Sequence, residues 1–166
     1  MEENAKVAAY RRLAYMDAMT GMENRAAFME QQRKTEGMAG LSYILFDIND
    51  LKRINDQYGH REGDRLITSA AACIKDVFGE RGKCYRIGGD EFMVIVQDSS
   101  VAETAASLER MKARVAEENQ KCAIFLRIAA GYAVRQGTES AEQLYQKADA
   151  NMYEEKQKMK AAEVLI

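Results

Sequence analysis

Cys84 to Ile87 and Phe92 to Val96 are two short apolar runs with Gly88-Gly89-Asp90-Glu91 between them. The runs read as strands, so the glycines fall where an antiparallel hairpin turns. A hairpin is marginal alone in water and commits the rest of the chain to supplying further strands or covering helices. A Gly-Gly tip has no Cβ in the way and lets backbone approach a ligand. Asp90 and Glu91 at that tip are oxygen donors of the kind a hard divalent cation takes. Gly-Gly-Asp is also ordinary turn chemistry, so the acids gain meaning only from partners elsewhere in the chain.

The order of elements around the hairpin predicts the fold. Glu3 to Met16 reads as a lead-in helix with Tyr10, Leu13 and Ala14 on one face, and Asp17 to Gly21 as a break. Asn24 is placed to cap a helix running to Lys34, which Gly37 and Gly40 end. Leu41 to Phe46 is a mostly apolar run that suits a buried central strand, with Asp47 to Asp50 as its polar exit. A short helix follows, then Gly59-His60-Arg61-Glu62-Gly63. From Asp64 a helix carries Leu66, Ala70, Ile74 and Val77 at helical spacing and stops at Gly79 and Gly82. After the hairpin, Val101, Ala105, Leu108, Met111 and Val115 mark another helix. Ala123 to Val134 reads as a strand interrupted by Arg127. Ser140 caps a last helix with Leu144, Ala148 and Met152, and Val164 to Ile166 reads as a closing strand. The central βαββαβ order predicts an α+β fold with a ferredoxin-like antiparallel sheet and flanking helices. The division expected is a lead-in helix or linker over 1–16 and one domain over 17–166, an ordinary size for a domain.

Charge narrows the functions open to such a domain. The net charge of −2 gives no broad basic surface for nucleic acid. A small anionic ligand needs only a few local cations. The three cysteines, Cys73, Cys84 and Cys122, are odd in number and have neither zinc nor disulfide spacing. Their apolar neighbourhoods predict buried free thiols, as in a reducing compartment. There is no run of the roughly 20 apolar residues that span a bilayer and no signal-peptide pattern at the start, so a cytoplasmic domain is expected.

A second acidic element lies at the carboxyl end of the first core strand, in Phe46-Asp47-Ile48-Asn49-Asp50. In a βαββαβ sheet that strand lies beside the hairpin, which brings Asp47 towards Asp90 and Glu91. Carboxylates meeting from separate segments repel unless a cation lies between them. Magnesium suits such a place, because it takes a few carboxylates together with substrate phosphates. The alternative for Asp47 is a cap for the helix that follows. Asn55 and Asp64 have the donors and acceptors to read a guanine edge, with helix capping the plainer explanation of each. His60, the only histidine, is expected to hydrogen-bond its loop. Lys156 and Lys160, one helical turn apart, either lie on a solvated face or hold phosphates.

Taken together, these segments resemble the GGDEF family of diguanylate cyclases, from about Asp17 to Lys160. Asp17-Ala18-Met19-Thr20-Gly21-Met22-Glu23-Asn24-Arg25 is similar to the family's D-x-L-T-G-L-x-N-R. Phe46 to Asp64 is similar to its F-D-I-D-x-F-K-x-I-N-D-x-x-G-H-x-x-G-D. Gly88 to Phe92 matches the signature, and Ala148 to Lys156 is similar to A-D-x-A-M-Y-x-A-K. The resemblance implies condensation of two GTP molecules to cyclic di-GMP and two pyrophosphates across a homodimer, with Mg2+ or Mn2+. It implies catalytic roles for Asp90, Glu91 and Asp47, and metal ligation by Asp47, the Ile48 carbonyl and Asp90. It implies guanine reading by Asn55 and Asp64, substrate contacts at Gly88 and Gly89, and phosphate contacts by Lys52, Lys156 and Lys160. An upstream sensor or regulatory domain is the implied partner, and a catalytically weak GTP-binding regulatory module is the alternative reading.

This chain departs from the family pattern at four places. Asn49 stands where a second Asp is common, and Leu51 replaces an aromatic. Met159-Lys160-Ala161 replaces G-R-N, putting a point charge where Arg would be a fork. Gly79 and Gly82 occupy the R-x-x-D positions of the family's inhibitory product site, so no product inhibition through that site is expected.

Overall fold

The computed structural model describes residues 2–164. The chain forms α1 (Glu2–Tyr15), β1 (Glu23–Asn24), α2 (Arg25–Lys34), β2 (Ser42–Ile48), α3 (Leu51–Tyr58) and α4 (His60–Phe78). It continues through β3 (Gly82–Arg86), β4 (Glu91–Val96), α5 (Val101–Asn119), β5 (Ile128–Val134) and α6 (Ala141–Val164). The strands make one sheet in the order β1-β3-β4-β2-β5. β2 and β4 are central, and the β2–β4, β2–β5 and β3–β4 pairs are antiparallel. This is the expected ferredoxin-like order, extended by the two-residue strand β1 parallel to β3.

Alternation along the strands divides the core into two layers. From β2, Ile44, Phe46 and Ile48 face one layer with Leu66, Ala70 and Ile74 of α4 and Met111 of α5. Tyr43 and Leu45 face the other, with Phe28 of α2 and Leu144, Ala148 and Met152 of α6. All seven residues of β2 are buried, as its apolar run requires. The same alternation puts Asp47 and Asn49, at odd positions, on the side of α6.

Local chemistry sets the helix ends. Asn24 accepts a hydrogen bond from Ala27 N at 3.1 Å, a cap worth about 1 kcal/mol. Ser140 Oγ accepts from Gln143 N at 3.1 Å while Gln143 Oε1 accepts from Ser140 N at 3.0 Å. Ser100 and Glu103 make the full reciprocal capping box on α5.

The observed elements differ from the sequence expectation in four places. α4 starts at His60 rather than Asp64, because Gly59 alone, at φ 89°, breaks the chain between α3 and α4. β5 starts only at Ile128; before it, Asn119 holds the connecting segment by donating to Leu126 O and accepting from Leu126 N. β1 is too short to leave a periodic pattern. α6 continues through Val164, so the expected closing strand does not begin there; Leu165 and Ile166 lie outside the described residues. Cys73 is buried as expected, whereas Cys84 and Cys122 are only partly so; all three are free. Burial pushes the thiols of Cys73 and Cys84 up to about 11. Among the described residues, no helix is long and apolar enough to cross a membrane.

Candidate active site

The carboxyl end of β2 and the start of β4 form the floor of the site. Asp47 pairs directly opposite Glu91 across the strands, and Ile48 N donates to Asp90 O at 2.9 Å. The fold thus brings Asp47 to Asp90 and Glu91, as the strand order predicted, with Ile48 beside them. Like charges directly opposite in a sheet are destabilising. Burial, and then the neighbouring charges of Asp47, Asp90 and Asp149, push the Glu91 carboxyl above its usual range. No hydrogen bond to the Glu91 or Asp90 side chain occurs among the described residues.

Asp47 is 7% exposed. Lys156 Nζ donates to its Oδ1 at 2.9 Å. Burial nevertheless outweighs the lysine and raises the Asp47 carboxyl, with Asp90 adding to the rise. Burial opposes the charge on Lys156, yet Asp47, Asp90 and Glu91 together hold its ammonium above the usual range. The seat of α6 makes this contact possible. A Cβ on Gly131 of β5 would lie 1.9 Å from Met152 N, so only glycine lets α6 settle on the sheet and present Lys156 to Asp47. Lys160 is exposed one turn further on and adds to the field at Asp47.

Asp47 does not cap the following helix. The N-cap of α3 is Asp50, at φ 58° and without a side-chain cap bond. Lys52 is exposed in the first turn of α3. Asn55 lies against the start of α4: a Cβ on Gly63 would meet Asn55 Oδ1 at 1.8 Å. Gly63 therefore keeps open the place the Asn55 amide fills, beside the exposed Asp64. Among the described residues, Asn55 Oδ1 is buried without a partner. His60 is exposed and, among the described residues, its side chain makes no hydrogen bond, so the expected loop contact is not found.

The hairpin tip is braced from Asp17, at the break after α1 where the family-like D-x-x-T-G pattern begins. Arg86 Nη1 reaches Asp17 Oδ1 at 3.2 Å, and Nη2 donates to Gly89 O at 2.8 Å. Thr20 donates to Asp17 Oδ2 from its backbone and its hydroxyl. Burial opposes ionisation of Asp17, but these hydrogen bonds and the Arg86 charge hold its carboxyl below the usual range. The signal available was Asp17 and Thr20 three apart, an Asx-type turn; its partnership with Arg86 is long-range and leaves no local pattern.

The donors at this floor are all oxygens, which suits a hard divalent cation. Among the described residues, no three His, Cys, Asp or Glu side chains converge as a complete metal cage. A cation here would rest on two carboxylates and a carbonyl, and draw its remaining ligands from water or substrate, as Mg2+ commonly does.

A ferredoxin-like sheet with paired acids on one hairpin tip defines a class of α+β domain, and comparison with known proteins gives the family. Residues 14–162 match the family described as "Diguanylate cyclase, GGDEF domain". The chain belongs to the GGDEF domain family. It is 33% identical over 165 residues to the diguanylate cyclase DgcN of Escherichia coli (strain K12), covering 92% of this chain and 39% of that protein. It is 31% identical over 153 residues to the diguanylate cyclase DgcS of Shewanella oneidensis, covering 86% of this chain and 50% of that protein. The chain thus spans half or less of these relatives. Among solved structures, the coiled coil and GGDEF domain of DgcB from Caulobacter crescentus in complex with c-di-GMP superposes with a TM-score of 0.83 at 26% identity, covering 92% of this chain and 85% of that one.

Proposed function

We propose that this chain is the catalytic domain of a diguanylate cyclase, dependent on Mg2+ or Mn2+ and acting as a homodimer. The observation that carries the reading is the meeting of Asp47, Asp90 and Glu91 at one end of the sheet, with two of the three carboxyls raised by burial and mutual charge. A protein does not gain stability from such a cluster; a cation and a polyphosphate relieve it.

Each protomer binds one GTP. Asp64 accepts from the N–H donors of the guanine edge, and the Asn55 amide, seated against Gly63 beside it, adds a second contact to the base. Gly88 and Gly89 let the phosphates approach the tip, beyond the guanine edge met by the exposed Asp64. Lys52, Lys156 and Lys160 hold phosphate oxygens. Asp47, the Ile48 carbonyl and Asp90 hold the metal, which neutralises phosphate charge and polarises the α-phosphate when bound. The 3′-oxygen of one GTP attacks the α-phosphorus of the other. The bond to pyrophosphate breaks, and the hydroxyl proton passes to Glu91 or Asp90. Two such steps give cyclic di-GMP and two pyrophosphates. The raised carboxyl of Glu91 suits a proton acceptor better than an ordinary carboxylate does.

Residues 17–166 are the catalytic domain in this reading, and residues 1–16 are a lead-in that connects it to a sensor or regulatory domain. The exposed Val7, Tyr10 and Leu13 on α1 support that connection. A substrate such as GTP places the domain in the cytoplasm. The second reading, a GTP-binding regulatory module, is favoured by one observation, that Asn49 and Met159 depart from the family pattern beside the metal seat.

The test is incubation of concentrated protein with GTP and Mg2+, followed by chromatography. Cyclic di-GMP is expected, and Asp90→Ala abolishes it. GTP binding without product at high concentration establishes the regulatory reading instead.

A further inference from the structure

Two departures from the family pattern that lie far apart in sequence meet in space. Asn49 is 2% exposed, and its Nδ2 donates to Met159 Sδ at 3.5 Å. Among the described residues, its Oδ1 is buried without a partner. Met159 stands where the family pattern has glycine, a residue that disfavours helix, whereas methionine favours it. The helix accordingly runs on to Val164. The continued turns place Lys156, Met159 and Glu163 along one face, at spacings of three and four residues. That face meets the ends of β2 and β5 at three points. Lys156 is on Asp47, Met159 is on Asn49, and Glu163 is ion-paired with Arg127.

We infer that Met159 is a positioning residue whose contact with Asn49 holds the end of α6 so that Lys156 is a resident counter-cation on Asp47, which a metal must displace. The inference rests on the reading of Asp47 as a metal ligand. Both halves of the pair are needed. An aspartate at 49 would put a buried charge against a thioether, and a glycine at 159 would leave the whole Asn49 amide unpartnered. The contact turns two substitutions that look like losses into one device. It keeps one cation on Asp47 without metal and makes metal entry competitive. Once displaced from Asp47, Lys156 is free to take a phosphate oxygen, so the step that loads the metal also frees the phosphate contact.

The experiment uses the whole chain without nucleotide, with Mn2+ as the probe and electron paramagnetic resonance of free Mn2+ as the readout. Lys156→Met keeps the apolar stem and removes the charge; it is expected to bind Mn2+ about tenfold more tightly. Met159→Gly is expected to tighten binding about threefold, and Met159→Leu, which keeps the helix and the packing, to restore less than half of that difference. Equal Mn2+ affinity in the wild type and Lys156→Met overturns the inference and leaves the metal seat standing. Tighter binding in Lys156→Met with none in Met159→Gly removes the positioning role of Met159. No Mn2+ binding by any variant also overturns the inference, since Lys156 then has no metal entry to oppose, and leaves the catalytic reading to the GTP assay.

Discussion

Gly88 and Gly89 stand at one end of β3, Gly79 and Gly82 at the other, and the two pairs differ in what surrounds them. A Cβ on Gly89 would meet nothing within 4 Å, and one on Gly88 would meet first the far end of the Glu91 side chain. A Cβ on Gly82 would lie 2.8 Å from Ile95 O, and one on Gly79 2.6 Å from Lys75 O. Neither pair needs glycine for a left-handed backbone, since the positive-φ glycines are Gly21, Gly37, Gly40 and Gly59. The upstream pair is thus dictated by the protein's own packing. The pair at the tip is not, which leaves room there for the ligand approach proposed above.

The largest expected effect tests the packing side of this contrast. Gly82→Asp restores the acid of the family's product-site pattern, but drives its Cβ into a backbone carbonyl of the neighbouring strand. It is expected to lower stability by about 2–4 kcal/mol, read by urea unfolding. An unchanged midpoint would show that β3 shifts freely and that the two glycine pairs are alike.

Gly89→Ala tests the other side. With open space around it, stability should stay within about 0.5 kcal/mol. Cyclic di-GMP formation should fall about tenfold or more if, as proposed, phosphate approaches the tip where the added methyl would stand. Full turnover in Gly89→Ala would reduce the tip to an ordinary turn.

The fold was legible because its carriers are periodic. The unbroken apolar run of Leu41 to Phe46 and the helical spacing of Leu66, Ala70 and Ile74 identify the central strand and the helix over it without any distant partner. The convergence of Asp47 with Asp90 and Glu91 was also legible, because strand order in a βαββαβ sheet fixes which ends are neighbours. What stayed hidden was pairwise and long-range. Arg86 braces the tip through Asp17, Lys156 neutralises Asp47, and Gly131 seats α6. Each depends on a side chain more than 20 residues away or on the close approach of two backbones, and neither leaves a mark in local spacing. Gly59 misled in the opposite sense: one glycine was enough to separate α3 from α4, so a five-residue loop was expected where the helix had already begun.

A smaller effect sharpens the account of the acidic floor. The Glu91 carboxyl is raised in the fold above its ordinary value of 4.5. A raised acid favours the folded state below its unfolded pKa, and that contribution is lost as pH rises through the folded value. At neutral pH the ionised Glu91 is therefore a cost. Glu91→Gln is expected to gain about 0.5–1 kcal/mol at pH 7, discounted for the group's partial exposure, and to gain nothing near pH 3. The same variant should lose catalysis. A stability gain at pH 3 as large as at pH 7 would trace the effect to packing rather than charge.

The smallest expected effect is at Arg81, between Gly79 and Gly82. The family's product site needs an arginine fork and an aspartate three residues apart, and here both positions carry no side chain. Arg81 is the one cation within this turn, and its Nη2 is already shared with Glu103 at 3.4 Å, with both side chains about half exposed. An exposed pair of that kind is worth about 0–1 kcal/mol, so neither the pair nor the lone guanidinium can replace a two-residue clamp. The glycines also cannot be refilled cheaply, for the steric reason already given at Gly82. Cyclic di-GMP should therefore not inhibit through this turn. Arg81→Ala should leave both turnover and product affinity, measured by calorimetric titration, within about twofold. A marked loss of product affinity in that variant would mean that the turn at 79–82 binds ligand after all, and the contrast between the two glycine pairs would have to be drawn again from ligand approach on both sides.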